Sequence, residues 1–395
     1  MAFKGNESYI PVKKNSSGPG YYFDPASLRL KIQQARLGFS FIKKFANNWL
    51  KIKIAKSSIL DPLFGYYLVT KRCNFRCRYC YAESNERIAS TCPEDLNEQD
   101  TLKILKIMRK DVDNIYFSGG EPLLRKDIVD IVKACRTLNY HIVGLTTNGI
   151  LLPRKHEIAE YLDYLTISLD TLDEKKNDMM CGVKDGTSKK IIEIIKEFAA
   201  MQKEKKFSLL INAVITEHNI PDIYDLMDFC FRYNIGLSVI GQMENLRPIA
   251  FLRNNKEYFQ LVETILDLNA KGYPIIGMPD FNRTMLTFQD HTCYPTLIPT
   301  VYPNGDLLYP CEVLNSRRYN LLETGSISRA LKLGQKEFGK KINCPGECYL
   351  PAFITASCFM EQPMSAIKQA VKLRMGNCYN TEIVENKAWK TKTGG

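Results

Sequence analysis

The amino-acid sequence predicts an α/β fold: a partial (β/α)6 barrel of the TIM type, with an N-terminal amphipathic helix and a small cysteine-rich C-terminal domain. Three observations carry this. Six β-rich runs between residues 66 and 243 alternate with helix-period segments. A basic helical pattern precedes them, and prolines, glycines and cysteines become frequent after residue 280. The expected boundaries are 1–62 for the basic helical segment, 63–280 for the barrel and 281–395 for the cysteine-rich domain.

The strands are read as YYLVT (66–70), NIYFSGG (114–120), HIVGLTTNG (141–149), YLTISLD (164–170), FSLLINAVIT (207–216) and GLSVIGQM (236–243). Helical patterns fall at 97–110, 127–138, 155–161, 187–205, 221–233 and 255–271. Crossovers of this length imply parallel strands, and in such sheets the chemistry gathers at the C-terminal strand ends. Residues 1–24 read as a poorly ordered lead-in. Over 26–51, Leu28, Ile32, Ala35, Phe39, Ile42, Ala46 and Trp49 recur at three- and four-residue spacing and line one helical face.

Composition narrows the class. The chain has 395 residues, 45% of them apolar, which is ample for a core. No secretory signal and no long apolar run is visible, so a cytoplasmic protein is expected. Thirteen cysteines is an odd number for a disulfide framework and favours thiols as metal ligands. The formal charge is +11, and Arg29, Lys31, Arg36, Lys43, Lys44, Lys51, Lys53 and Lys56 lie in a stretch between Asp24 and Asp61 that has no acid.

The sharpest motif is CNFRCRYC, with Cys73, Cys77 and Cys80 directly after the first strand. Spacing of C-x3-C-x2-C lets one turn of loop wrap three corners of an iron–sulfur cube and leaves the fourth iron for a small molecule. A structural zinc site needs four ligands. The next cysteine, Cys92, is followed by Pro93 and offers a poor fourth.

This loop resembles the C-x3-C-x-aromatic-C signature of the radical S-adenosylmethionine (radical SAM) superfamily, with Tyr79 as the aromatic. The resemblance extends over about 66–272: SGGEP (118–122) ends the second strand, TTNG (146–149) the third and SLD (168–170) the fourth. It implies that Cys73, Cys77 and Cys80 bind a [4Fe–4S] cluster whose open iron is chelated by S-adenosylmethionine. Gly119, Gly120 and Glu121 are implied along the methionine amine, Ser168 and Asp170 at the ribose, and Tyr79 at the adenine end, with Asn212 a further pocket candidate. Thr147, Asn148 and Gly149 fit either a plain strand-to-helix turn or a cofactor contact. Where many relatives carry Arg-Gly after the fourth strand, this chain reads MMCG (179–182), which sets Cys181 in place of the arginine and leaves Lys184 or an arginine elsewhere for its role. The implied chemistry is reductive cleavage of S-adenosylmethionine to a 5′-deoxyadenosyl radical, fed by an external low-potential electron donor of flavodoxin or ferredoxin type. No catalytic residue beyond the cluster and cofactor site is assigned.

A second set comprises Cys293, Cys311, Cys344, Cys348 and Cys358. TVYPNGDLLYPC (300–311) reads as a hairpin about Asn304-Gly305, followed by C-x3-C and one more cysteine. This resembles the SPASM or twitch extension and implies one auxiliary [4Fe–4S] cluster. Cys293, Cys311, Cys344 and Cys348 are favoured, and Cys358 competes for a place; a zinc site is the other reading. Cys92, Cys135, Cys230 and Cys378 read as ordinary thiols.

The basic N-terminal helix admits two roles: a cover for the bottom or edge of the barrel, or a seat in a membrane interface on the inner face of an anionic bilayer. Nucleic acid is not expected, since no binding fold accompanies the charges. About 65 residues precede the barrel, too few for a cobalamin domain, and no leader-peptide-binding domain is legible. The reading is therefore a radical SAM enzyme acting on a membrane-associated lipid or isoprenoid. The alternatives are a SPASM-type maturase of peptides or proteins and, outside catalysis, an iron–sulfur scaffold or electron carrier.

Overall fold

In the computed structural model, residues 43–80, 94–344 and 348–362 are described. The expectations for residues 1–42, Cys92 and Cys378 lie outside them. Residues 43–53 form a helix, α1, and a strap over 57–64 leads into β1 (Gly65–Leu68). Then follow α2 (Glu98–Arg109), β2 (Asn114–Ser118), α3 (Ile128–Thr137), β3 (Ile142–Thr147), β4 (Tyr164–Ser168), α4 (Glu174–Cys181), α5 (Thr187–Lys205), β5 (Ser208–Ile215), α6 (Asp222–Arg232), β6 (Gly236–Gly241) and α7 (Lys256–Ala270). Beyond them lie α8 (Pro279–Leu286), β7 (Thr300–Val301), β8 (Asp306–Tyr309), β9 (Arg317–Asn320), α9 (Ile327–Phe338) and α10 (Pro351–Glu361).

One sheet holds nine strands in the order β9-β8-β7-β1-β2-β3-β4-β5-β6. The six barrel strands are all parallel, as the crossovers require. Their two faces follow the period-2 alternation of side chains. Tyr67, Phe117, Leu145, Leu165, Ile211 and Leu237 are buried against the helices. Tyr66, Tyr116, Ser118, Ser168, Asn212 and Ser238, one residue out of phase, form a half-buried polar face. Truncating Leu165 to Ala would cost about 2–5 kcal/mol, the usual range for a core cavity.

Local signals set the helix ends. Asn97 caps α2 by accepting from the Asp100 amide, with Glu98 and Asp100 in its first turn and Lys106 and Arg109 in its last. The expected helix at 155–161 is instead a pair of tighter 3-10 turns, Leu152–Arg154 and His156–Tyr161, because Lys155 breaks the helical backbone between them. Helix α4 was not legible as periodicity, since EKKNDMMC has no apolar stripe. Its capping signals are present, with Asp173 accepting from the Lys176 amide and Gly182 left-handed at the C-terminus.

The boundary at residue 281 is not a break in the sheet. β7 pairs in parallel with β1, Tyr66 opposite Thr300, and β8 and β9 continue antiparallel. Val301, Leu307, Tyr309, Ile327 and Leu331 enter the same core as the barrel strands. The expectation of a separate domain with too little core is corrected in this respect: the hairpin about Asn304-Gly305 forms, but it extends the barrel sheet, and three helices (α8, α9 and α10) surround it. The periodicity signal is weak in α8, which has eight residues, and in α10, which is apolar nearly all round; α9 does carry a stripe of Ile327, Ala330, Leu331 and Gly334 that sequence reading passed over.

Candidate active site and thiol clusters

The three-thiol loop leaves β1 at its C-terminal end and is held from two sides. On one, the Gly120 amide donates to the Thr70 carbonyl and the Glu121 amide to that of Arg72, both at 2.8 Å. This zip leaves no room for side chains: a Cβ on Gly119 would lie 2.2 Å from the Thr70 carbonyl oxygen, and one on Gly120 2.4 Å from that of Arg72. The double glycine therefore serves close approach of two backbones. On the other side, the Arg76 amide donates to the Cys181 carbonyl (3.0 Å) and the Arg78 amide to that of Met180 (3.1 Å). Gly182 caps α4 at φ +62°, and a Cβ there would meet the Arg76 carbonyl oxygen at 2.5 Å. The glycine of MMCG is thus fixed by contact with the thiol loop.

Glu121 faces inward. Its carboxylate accepts from the Leu123 amide (2.9 Å), the Thr147 hydroxyl (2.7 Å) and the Asn148 amide (2.7 Å). Burial raises its pKa, and these three donors pull the other way. The Asn148 side chain donates to Asn74 in the thiol loop at 2.9 Å. The β3 turn is thereby bound to β2 and to the loop. The Glu121 carboxylate clamps strand ends, so any group it offers an ammonium comes from the backbone.

Asp170 is buried as well. It accepts from the Val214 amide (2.7 Å) and from the Tyr79 hydroxyl, and burial pushes its pKa up to about 6. Both oxygens are committed to protein, and they tie Tyr79 to β5. Ser168 and Asn212 are opposite each other in the β4–β5 register and half-buried on the polar face. Cys181 is 3.6 Å from the Tyr79 hydroxyl. A hydrogen bond with Cys181, followed by burial, holds the Cys77 thiol well above its ordinary range. Burial raises Cys73 too. Lys184 is exposed, and the Arg76 guanidinium lies over the Cys73 and Phe75 carbonyls.

All three thiols of the loop are half-buried. Among the described residues no three His, Cys, Asp or Glu side chains converge on a single-ion position. Three thiols on one short loop instead fit a multi-iron cube, where each holds a different corner. When bound, such a cluster supplies the electron that cleaves S-adenosylmethionine. The protein's own part is to fix the loop through Gly120, Glu121, Cys181 and Gly182, and to line the sheet face with hydroxyl and amide groups.

The second set is assembled from distant segments. Cys293 lies within electrostatic reach of Cys348, Cys311 and Cys344, and burial pushes its thiol up. Cys311, raised to about 12 by burial, also feels Cys348. Four of the five expected thiols thus lie within electrostatic reach of one another. Cys358 does not join them: it lies on α10 in a separate apolar cluster with Met243, Met278, Phe281 and Met285. Cys135 and Cys230 are buried in the main core.

Sequence reasoning missed Glu312. It is buried, its pKa is pushed up to about 7 by burial, and its Oε2 has no hydrogen-bond partner among the described residues. It acts electrostatically on Tyr66 of the polar sheet face and on Cys311 and Cys348. It therefore stands between the barrel interior and the second thiol set. The signal available was its place next to Cys311, directly after the apolar run LLYP (307–310).

Helix α1 splits its charges. Lys44 turns inward to Asp113 (3.4 Å) and the Asp111 carbonyl, and Lys51 pairs with Asp61. Lys43, Ala46, Trp49, Leu50 and Lys53 are exposed, followed by Ile54 and Lys56. Trp49 is 43% and Ile54 74% exposed, while Asn48 is buried and Lys44 meets the barrel on the other side of the helix. Among the described residues no helix is long and apolar enough to cross a membrane.

Residues 67–230 match the model of the radical SAM superfamily. The chain is 36% identical over 166 residues to a probable GTP 3′,8-cyclase of Methanosarcina mazei, covering 40% of this chain and 48% of that protein. It is 31% identical over 232 residues to a GTP 3′,8-cyclase of Sulfurovum sp., covering 55% and 66%. The chain thus spans about half to two thirds of the length of these relatives. In fold it is similar to Streptococcus suis SuiB bound to S-adenosylmethionine, with a TM-score of 0.55, 21% identity and coverage of 78% of this chain and 76% of that one. Motif, register and family match agree: residues 67–230 form a domain of the radical SAM superfamily, whose members use a [4Fe–4S] cluster and S-adenosylmethionine.

Proposed function

We propose that this enzyme works at an anionic membrane surface and directs its 5′-deoxyadenosyl radical at a lipid or isoprenoid drawn from the bilayer. The outer face of α1 carries the reading. Trp49, Leu50 and Ile54 stand exposed among Lys43, Lys53 and Lys56, and the helix has no acid. The lysines that pair internally, Lys44 and Lys51, are on the other side. Three lysines near an acidic leaflet contribute about 1 kcal/mol each, and burial of the apolar side chains adds to that. The hold is reversible and lets the barrel meet a substrate that stays in the membrane.

In the same reading, Cys293, Cys311, Cys344 and Cys348 hold one auxiliary [4Fe–4S] cluster, and a low-potential donor of flavodoxin or ferredoxin type reduces the radical site. Modification of a peptide is the alternative, and the names of the sequence relatives add GTP as a substrate to compare. The test has two arms. Flotation with phosphatidylcholine–phosphatidylglycerol vesicles should capture the enzyme, and Trp49→Ser/Leu50→Ser/Ile54→Ser should abolish capture. Anaerobic turnover should then yield 5′-deoxyadenosine and a modified product from an organic membrane extract. Products from GTP or from peptides, with none from the extract, would sink the lipid reading.

A further inference from the structure

Behind the sheet, between α1 and α9, is a cavity of about 310 Å³. It lies on the opposite side of α1 from the exposed Trp49 and Leu50, and it is lined from four segments: Lys51 and Ala55, the 57–61 strap, Ser328 to Gln335 of α9, and Lys340. Its floor is apolar, made by Ile59, Leu60 and Leu331. Its volume is at the small end of ligand sites, right for a headgroup and too small for a whole lipid.

The cavity has an excess of positive charge. Lys51, Lys332 and Lys340 line it with a single carboxylate, Asp61. Asp61 is already occupied: it pairs with Lys51, accepts from the Asn47 side chain, and its backbone is bonded in both directions to Asn48 (2.9 and 2.7 Å). Ser328 is likewise spent on Asp111. Lys332 and Lys340 make no ion pair among the described residues, and the side-chain amide of Gln335 makes no hydrogen bond there, its backbone carbonyl alone accepting from the Gly339 amide. Two ammonium groups from different segments, over an apolar floor and beside a helix with an exposed apolar face, match a phosphate that carries a hydrocarbon.

Resting on the membrane reading above, we infer that this cavity binds the phosphate headgroup of an acidic phospholipid, so that α1 seats its outer face in the bilayer while one lipid headgroup docks behind it. Lys332 and Lys340 supply the charge, and the Gln335 amide is the neutral donor.

The experiment uses the cluster-loaded enzyme, Lys332→Gln/Lys340→Gln and the charge-keeping Lys332→Arg/Lys340→Arg. Each is titrated with phosphatidylcholine vesicles, with phosphatidylcholine–phosphatidylglycerol vesicles, with short-chain dihexanoyl phosphatidylglycerol below its micelle concentration, and with inorganic phosphate. The wild type and the arginine variant should bind the acidic vesicles and the short-chain lipid. The glutamine variant should lose about thirtyfold on acidic vesicles, the loss expected for two lysines facing an acidic leaflet, with an unchanged melting temperature. Equal binding of acidic vesicles by wild type and glutamine variant would overturn the cavity inference and leave the membrane reading standing. Inorganic phosphate binding as tightly as the short-chain lipid would make this a free-phosphate site and overturn the lipid assignment. No vesicle capture of the wild type would remove both.

Discussion

The two thiol sites are built in opposite ways. Cys73, Cys77 and Cys80 lie on one eight-residue loop, and the tertiary structure only staples that loop down through Gly120, Glu121, Cys181 and Gly182. Cys293, Cys311, Cys344 and Cys348 come from the loop after α8, the end of the β8 hairpin and the segment before α10, and only Cys344 and Cys348 are close along the chain. A local site is legible as a motif. An assembled one is legible as a set of favoured cysteines, with the competing Cys358 left open until the chain is folded. The difference also predicts how each fails: the first at its ligands and its staples, the second at any of several distant elements.

The largest expected effect is at the first site. Cys77→Ser should remove its cluster and lower 5′-deoxyadenosine formation by at least about a thousandfold, the rate lost with the group that supplies the chemistry. The second site should keep its iron. Full iron content and unchanged turnover would dissolve the distinction between the two sites.

At the second site, Cys344→Ala should lower iron content while the reduced enzyme still forms 5′-deoxyadenosine, and product should fall with little change in that uncoupled cleavage. Cys358→Ala is the paired control. With its thiol in the cluster of Met243, Met278 and Met285, it should leave the iron count unchanged and cost about 1 kcal/mol of packing. Iron loss in the Cys358 variant would mean the fourth corner has been misassigned.

A staple should matter less than a ligand. Gly182→Ala places a methyl against the Arg76 carbonyl in a left-handed backbone, costing roughly 1–3 kcal/mol. The loop should take up its cluster less completely and bind S-adenosylmethionine several-fold more weakly by calorimetry, with the second site unaffected. If both sites lost iron equally, the effect would be global unfolding.

The smallest effect belongs to Glu312. Its folded pKa, about 7, is raised above the ordinary carboxyl value, so the protonated form is the better tolerated one. Stability is therefore unpenalised below the unfolded pKa and falls as pH rises through about 7. Glu312→Gln should flatten this fall. The difference in stability between variant and wild type should grow from near zero below about pH 4 to at most roughly 3 kcal/mol at pH 8, read as melting temperature under anaerobic conditions. A pH-independent difference would show that the carboxylate is paired in solution.

Much of the barrel was legible because each strand and helix carries its own period. Five of the six expected helices appear as α-helices within a residue or two of their limits, and the sixth is a pair of 3-10 turns. What escaped was mostly structure with no stripe to show: α4, whose signals are its caps, the short α8 and the nearly all-apolar α10; the stripe of α9 was there and was passed over. The functions of side chains were less legible than their positions. SGGEP marks a strand end, yet nothing in those letters says that Glu121 points inward to Thr147 and Asn148, or that Asp170 spends its carboxylate on Tyr79 and Val214.

The sequence by itself determined the parallel strand order, the three-thiol loop and the basic acid-free segment, because each is written in residues near one another along the chain. The sequence favoured Cys293, Cys311, Cys344 and Cys348; the tertiary structure alone decided that Cys358 packs apart from them, that β7 joins β1, and which lysines of α1 turn inward. Those outcomes depend on packing between segments from ten to more than two hundred residues apart, and a linear pattern has no term for what a side chain meets across the fold.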